Sequence, residues 1–559
     1  MAIHPAAARH CRCLESAVRQ GASAMKAKFA FDSLSVRDGR IFGWGWFLSP
    51  HAATSRLELR IENPGGQRTR LRCSTAGTRP DLAEAFPHLP HAINGGFLIQ
   101  GRLPAGADCT QATLHVWLAD GREEDVQIEG FPGRFDIDGG WQGRRAITLQ
   151  LLRSGQFLVL AKRLLAMLAR RLSALRRAWL GRRRQHSRHD AHIILFDHAM
   201  GGGANHFREE KIAEAIAQGH TVLLVTPHLP TLSYEIAYRS RDGEQISRYP
   251  SLQTCLDALA GCAWVVVNDL ASYDDPLRVL AWIAERKAKG ARTRFYLHDY
   301  FPACPVWTLV GRHERYCEIP DFAECARCLP DNPMPFLGLL PKLDVPDWRQ
   351  RWGMFLDDAD EIVAFSKASV AVLGRAFPEL NLERVVIRPH SLAYLPKRQV
   401  RPSLDGDTVI AVVGTINAHK GAEIVAEMAR IIERERVPAR IVVIGSIDNV
   451  LPSPALRVVG PYRPDTLPEL LEVEQASVCL LPSIWHETFS YVTSELMHYG
   501  MPVAVFDLGA PAERVQSYEL GCIIPCIEAR AALDALLGFH RKLVAAETPI
   551  SDPFLSEFK

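Results

Sequence analysis

The sequence predicts an α/β protein in which two Rossmann-like units follow a small all-β sandwich and a basic helical linker. Three observations predict it. From His192 onward, buried apolar strands alternate with helical stretches, the pattern of parallel sheets. Residues 28–133 run instead in short apolar–polar alternation between turn signals, as half-buried antiparallel strands do. Between these regions, residues 153–188 carry eleven Lys/Arg and no acid. A chain of 559 residues is also too long for one ordinary core.

Taken in order, residues 1–27 read as a disordered N-terminus. Arg9, Cys11, Arg12 and Glu15 stand where a secretory signal needs its apolar stretch. In the β-sandwich at 28–133, candidate strands are Arg40-Ile41-Phe42-Gly43-Trp44-Gly45-Trp46-Phe47, Leu57-Glu58-Leu59-Arg60-Ile61 and Ala112-Thr113-Leu114-His115-Val116-Trp117-Leu118. One of Trp44 and Trp46 is expected in the core and the other partly exposed, with stacking on a glycan as the alternative. In the linker at 134–189, Leu160, Leu164, Leu168, Leu172, Leu175 and Trp179 recur at helical spacing, with the cations largely elsewhere. A basic amphipathic helix over 157–184 suits an anionic membrane surface, or a helix packing its leucines on a neighbouring domain. It lacks the aromatic platforms of a single-strand nucleic-acid binder. Residues 190–395 form the first Rossmann-like unit and 396–559 the second, joined near Pro389 to Asp405.

Composition sets the class. Hydrophobic residues make up 47% and charged residues 23%, as in a soluble globular protein, and a net charge of +2 argues against a chain-wide nucleic-acid surface. No apolar run reaches the roughly 20 residues of a membrane span. Thirteen scattered cysteines fit a reducing cytosol better than a disulfide framework.

The chemistry concentrates where strands end. After the apolar segment Val478-Cys479-Leu480-Leu481 comes Glu487 on a loop, then Glu495 on a helix. Ionised carboxylates there can grip sugar hydroxyls through charge-assisted hydrogen bonds. The loop-to-helix junction at Phe489 and Ser490 offers backbone N–H groups to a phosphate. Gly414-Thr415-Ile416-Asn417-Ala418-His419-Lys420-Gly421 follows the first strand of the second unit, so backbone and Lys420 can approach a diphosphate. In the first unit, Gly201-Gly202-Gly203 removes the Cβ atoms that would block a ligand, and Asn205 and His206 open the next helix as candidate acceptor contacts. His298-Asp299-Tyr300 ends another strand on the ligand side of the sheet, where His298 suits hydrogen bonding better than general-base work. Asp274-Asp275 reads as a helix-start cap. Cys304, Cys317, Cys325 and Cys328 could close a structural tetrahedral zinc site within an insert at 302–332, or remain plain thiols. Four sulfur ligands would leave no open catalytic position.

The glutamate pair, with Gly500-Met501-Pro502-Val503 after its helix, resembles the E-x7-E signature and G-x-P-V tail of retaining GT-B glycosyltransferases, the glycosyl transferases group 1 type. The resemblance spans roughly 191–539. It implies a GT-B pair of Rossmann-like domains, a nucleotide-diphospho-sugar donor held by the second domain, an acceptor presented by the first, and transfer with retention. It assigns Glu487 to the donor sugar, Glu495 to the ribose, Lys420 to the diphosphate and His298 to the vicinity of the donor sugar. Gly202, Gly203, Gly414, Thr415, Phe489 and Ser490 would contact the donor, and Arg388-Pro389-His390 would line the cleft. No cofactor is required for such catalysis. The chain departs from the pattern at Thr415, where the family places an arginine. The implied function is cytoplasmic sugar transfer to a glycan or polyprenyl-linked glycan in bacterial surface-polysaccharide synthesis, peripheral to the membrane. The alternatives are a non-catalytic glycan-binding or assembly protein on this scaffold and a nucleotide-sugar epimerase.

Overall fold

The computed structural model describes residues 27–546, apart from 63–67, 76–78, 104–110, 134, 138–188, 199, 342–343, 449 and 451. The expected disordered N-terminus and the basic helix at 157–184 lie outside the described residues.

The N-terminal strands β1 (Lys28–Arg37), β2 (Arg40–Leu48), β3 (Thr54–Glu62), β4 (Arg68–Thr75), β5 (Gly96–Arg102), β6 (Gln111–Leu118) and β7 (Glu123–Ile128) form one antiparallel sheet ordered β1-β2-β5-β4-β3-β6-β7. Strand β4 pairs with β3 through Cys73 and passes to β5 at Ser74 and Thr75, so the sheet folds over into two layers. Ile41, Phe47, Leu59, Phe97, Ile99 and Leu114 fill the core between them. The near-continuous apolar text of β2 has a simple cause: both its faces are covered. Ile41 and Phe47 point into the sandwich core. Phe42 and Trp44 meet Phe336 and Leu339 of the next domain, and Trp46 packs by Leu82 and Phe86. Neither tryptophan is fully buried, which corrects the expectation that one belongs to the core. Gly45 is required because a Cβ there would collide with the Ala30 carbonyl of β1.

The first lobe contains β8 (His189–Phe196), β9 (Val222–His228), β10 (Ser233–Ser240), β11 (Gly243–Tyr249), β12 (Leu259–Val267), β13 (Arg292–Tyr296), β14 (Glu361–Ala364) and β15 (Val385–Ile387). Their order is β11-β10-β9-β8-β12-β13-β14-β15, parallel from β9 to β15. The β10–β11 hairpin is antiparallel and was not expected. Its signal was present as Asp242-Gly243 between two alternating runs.

The second lobe, β16 (Thr408–Ile416), β17 (Ala439–Ile447), β18 (Leu456–Gly460), β19 (Val478–Leu481), β20 (Val503–Phe506) and β21 (Gly521–Ile524), is wholly parallel with order β18-β17-β16-β19-β20-β21. Its strands read as unbroken apolar runs because helices cover both faces. Helix Ala422–Glu435, for example, buries Val425, Met428, Ala429 and Ile432, a stripe of helical period. Each sheet reverses its winding once, between β8 and β12 and between β16 and β19. Ligand crevices form at the carboxyl ends of strands at such switch points. The loops carrying the glycine run, Lys420 and Glu487 all leave from those ends.

Candidate active site

In the second lobe, the Lys420 loop and the Glu487 loop are built against each other. Gly421 has φ +81° and lies against Pro482 so closely that a Cβ would strike its carbonyl. The His419 carbonyl accepts from the Ile484 N–H at 3.1 Å. Asn417 caps the Ala418–Lys420 turn, its side chain accepting from the Lys420 N–H at 3.1 Å. Lys420 itself is half-buried, and its ammonium has no ion-pair partner among the described residues. Gly414, φ +119°, sits 3.8 Å from the side chain of Val492 at the position a Cβ would take. The Gly414–Gly421 loop thus borders the start of the helix that bears Glu495.

Glu487 is 5% exposed and accepts from the Ser483 hydroxyl. Its carbonyl takes the Ala510 N–H at 2.9 Å, and Gly509, φ +67°, lies where a Cβ would come within 2.8 Å of that carbonyl. Helix Tyr491–His498 then begins at Ser490, a non-glycine residue held at φ 69°, ψ 91°, with no side-chain cap on the first turn. Uncapped N–H groups at a helix start suit an anion. Glu495, one turn further, is 4% exposed. The Tyr394 hydroxyl donates to its Oε1 at 2.7 Å, while Oε2 is buried with no partner among the described residues. Burial pushes the Glu495 pKa above the ordinary carboxylate range, opposed by the Tyr394 hydrogen bond.

The first lobe closes over these loops. A Cβ on Gly203 would come within 2.8 Å of the Tyr491 ring, whereas the corresponding space at Gly202, φ +86°, is open. His206 is exposed and lies between Tyr394 and Tyr491, at 5.1 and 5.5 Å. Asn205 has a different place from the one expected. Its Oδ1 accepts from the Gly201 N–H at 2.6 Å, and its Nδ2 donates to Asp197 at 2.9 Å and to the His198 carbonyl at 3.0 Å. Its side chain is committed to shaping the glycine loop, leaving His206 as the residue of the pair that faces the other lobe.

The Thr488 hydroxyl donates to the His298 carbonyl at 2.7 Å, which joins the Glu487 loop to the strand end of the first lobe. His298 Nε2–H donates to Asn268 Oδ1 at 3.0 Å. Burial, then the nearby His390 and His198, holds its pKa well below that of a free histidine, so it stays neutral and serves as a hydrogen-bonding group. His390 stacks between Phe365 and Tyr491, at 4.0 and 4.7 Å, in the gap between lobes. Asp275 caps helix Pro276–Lys287 by accepting from the Arg278 N–H at 3.1 Å.

The four cysteines converge without forming a ligand sphere. Cys304, Cys317, Cys325 and Cys328 are free thiols lining one cavity of about 600 Å³. Among the described residues, no group of three or more His, Cys, Asp or Glu is arranged to hold a metal ion. Their insert nevertheless reaches the other lobe: Trp307 packs 5.9 Å from Trp485, and Tyr316 lies 5.2 Å from His486.

One residue escaped the sequence reading. Arg514 places its guanidinium 3.7 Å over the Phe489 ring and donates to the Ser490 carbonyl at 3.2 Å and the Ser494 hydroxyl at 2.6 Å. Its Nη2 is buried without a partner among the described residues. Burial brings its pKa down to about 10, against the pull of Glu513 and Glu487. No local pattern marks it, because it lies on the following helix and reaches Ser490 only through the fold.

Two Rossmann-like lobes meeting across a cleft at their strand ends are the GT-B architecture. Residues 396–539, which make up the second lobe, match the family model of glycosyl transferases group 1. No curated protein matches the sequence. Similar solved structures include Anabaena HepE in complex with UDP and glucose, 12% identical over 64% of this chain and 96% of that one, with a TM-score of 0.38. A glycosyltransferase from Rickettsia africae is 12% identical over 63% of this chain and 91% of its own, with a TM-score of 0.38. The pneumococcal O-GlcNAc transferase GtfA in complex with UDP and GlcNAc is 12% identical over 58% of this chain and 59% of its own, with a TM-score of 0.34.

Proposed function

We propose that this chain transfers a sugar, with retention, from a nucleotide-diphospho-sugar to a glycan or polyprenyl-linked glycan in bacterial surface-polysaccharide synthesis. The observation that carries the reading is that the loops bearing Lys420, Glu487 and Glu495 are built against one another, Gly421 on Pro482 and Gly414 beside Val492, with Gly203 and His206 of the first lobe against Tyr491. Lys420 and the open N–H groups at Tyr491 hold the diphosphate and stabilise it as it departs. Arg514, which donates to the Ser490 carbonyl, supplies positive charge that Thr415 does not. The orphan Oε2 of Glu495 accepts a ribose hydroxyl, and Glu487 accepts from the donor sugar. His298 remains neutral beside them. Closure of the lobes through Thr488 and Tyr491 keeps out the water that would hydrolyse the donor.

The basic segment 157–184 suits attraction to anionic lipid, which would bring the enzyme to a lipid-linked acceptor. Among the described residues, no helix is long and apolar enough to cross a membrane. The test is donor hydrolysis or transfer by purified protein. Both activities fall at least about 100-fold in Glu487→Ala and Lys420→Ala variants that keep the wild-type melting temperature. Undiminished turnover in both variants refutes the site. Nucleotide-sugar binding without turnover in the wild type makes the chain a sugar-binding protein instead.

A further inference from the structure

We propose that Trp307 and Trp485 form a saccharide subsite that grips the transferred sugar of the donor across the gap between the lobes. The proposal rests on the donor reading above and extends it to the insert at 302–332. Trp307 comes from that insert in the first lobe, and Trp485 stands two residues before Glu487 in the second. Their rings meet edge to face, with centroids 5.9 Å apart at 89°. His419, the residue before Lys420, completes the group at 5.3 Å from Trp307 and 5.9 Å from Trp485. The three rings therefore border both ends of the proposed donor site, the cation and the first acid.

Trp485 is 8% exposed. The indole N–H of Trp485 and that of Trp307 are both buried, and neither finds a hydrogen-bond partner among the described residues. Buried N–H groups in native proteins are almost always paired, so two orphans side by side call for an account. Indole donates and cannot accept. The missing partner is thus an acceptor, and it must tolerate aromatic walls. Indole N–H groups are neutral donors, with no net positive charge to favour a phosphate over a neutral hydroxyl. A sugar ring meets both demands: its hydroxyl oxygens accept, and its C–H faces lie against aromatic carbon. His419 adds no charge, since burial and Lys420 push its pKa down to about 3.

The same geometry gives the insert a role. Tyr300, just before it, bonds His486 Nδ1 through its hydroxyl at 2.6 Å, and Tyr316 packs on the same ring. The insert is therefore seated on Trp485 and His486 and carries half of the subsite to them.

Trp307→Phe and Trp485→Phe keep an aromatic ring and remove the N–H. Each variant is titrated calorimetrically with UDP and UDP-glucose, and with GDP and GDP-mannose, using the pair that binds wild-type protein. The expected result is nucleoside-diphosphate affinity within about twofold of wild type and a five- to tenfold loss for the matching sugar nucleotide, roughly one hydrogen bond. Unchanged sugar-nucleotide affinity overturns the proposal. Equal loss for both ligands also overturns it, since that marks a purely structural pair. If neither pair binds, the remaining nucleoside diphosphates and their sugars are titrated in the same way, and binding of none removes the donor reading and this proposal with it. If Trp485→Phe fails to fold, Trp307→Phe decides, because that residue is less buried than Trp485.

Discussion

Glu495 is where stability and the proposed ribose contact oppose one another. Its carboxyl is almost wholly enclosed, with one oxygen bonded by Tyr394 and the other unmatched. Because burial raises its pKa, the folded protein holds the Glu495 proton more tightly than the unfolded chain does. The stabilising share of that proton is complete below the unfolded carboxylate pKa of roughly 4 and is lost as pH rises through the raised value. Glu495→Gln is therefore expected to melt higher than wild type at neutral pH, with the gain vanishing on acidification below about pH 4. On the proposed function, the same variant loses the charged acceptor for the ribose, worth about 1.5–3 kcal/mol, so nucleotide affinity falls about 10- to 100-fold. Melting curves across pH and nucleotide titration check both halves. A variant that is destabilised at neutral pH contradicts the burial account. Glu495 was singled out through the resemblance to the E-x7-E signature, which is legible because Glu487, Glu495 and the Gly500-to-Val503 tail occupy one short stretch of chain. Arg514 could not be, since its contact with Ser490 exists only after the helix Gly509–Val515 has packed.

Helices and loops show the same division between local and distant causes. Strand–helix alternation, the glycine turns and the switch-point loops are local patterns, and the second lobe was readable almost throughout. The β10–β11 hairpin was missed because the helix–strand rhythm around it dominated the reading, although an Asp-Gly turn lay between its strands. Contacts between elements of different lobes left no trace in the sequence. One of them has a clear consequence. Glu513, at the end of the second-lobe helix Gly509–Val515, accepts from the Lys367 and Ala368 N–H groups at 3.1 and 2.7 Å. Those groups open the first-lobe helix Lys367–Ala376, so a carboxylate from one lobe caps a helix of the other and draws on its positive end. Glu513→Ala removes about 1–2 kcal/mol from the closed arrangement. X-ray scattering should show an expanded radius of gyration for the variant without ligand, and its kcat should fall with little change in melting temperature. Identical scattering profiles would mean that this contact does not hold the lobes together.

At the scale of the whole molecule, the β-sandwich is fastened to the first lobe rather than tethered beside it. Arg40 is buried and pairs with Asp274, which also accepts from the Tyr234 hydroxyl. Arg102 donates to the Leu339 and Asp274 carbonyls at 2.7 and 3.1 Å, and Ser35 to the Pro230 carbonyl at 2.7 Å. Phe42, Leu98, Leu232, Phe336 and Leu339 form the apolar centre of the contact. The sequence showed the three folded units and their order but not this joint, because an Asp-Asp pair at a helix start gives no hint that one member faces another domain. Breaking a buried ion pair from one side costs about 3–5 kcal/mol, so Arg40→Ala should release the sandwich to limited proteolysis under conditions where wild type resists. Equal resistance would show that the apolar contact alone suffices.

The central claim is that a nucleoside-diphospho-sugar sits between the lobes, with Glu495 on its ribose and Lys420 on its diphosphate. It is tested most directly by the thermal shift produced by a panel of nucleoside diphosphates and their sugars on wild type, Glu495→Gln and Lys420→Ala. A ligand that binds only the native state raises the melting temperature in proportion to its affinity. The account predicts that at least one sugar nucleotide shifts wild type by several degrees and both variants markedly less. Equal shifts in all three proteins would contradict it.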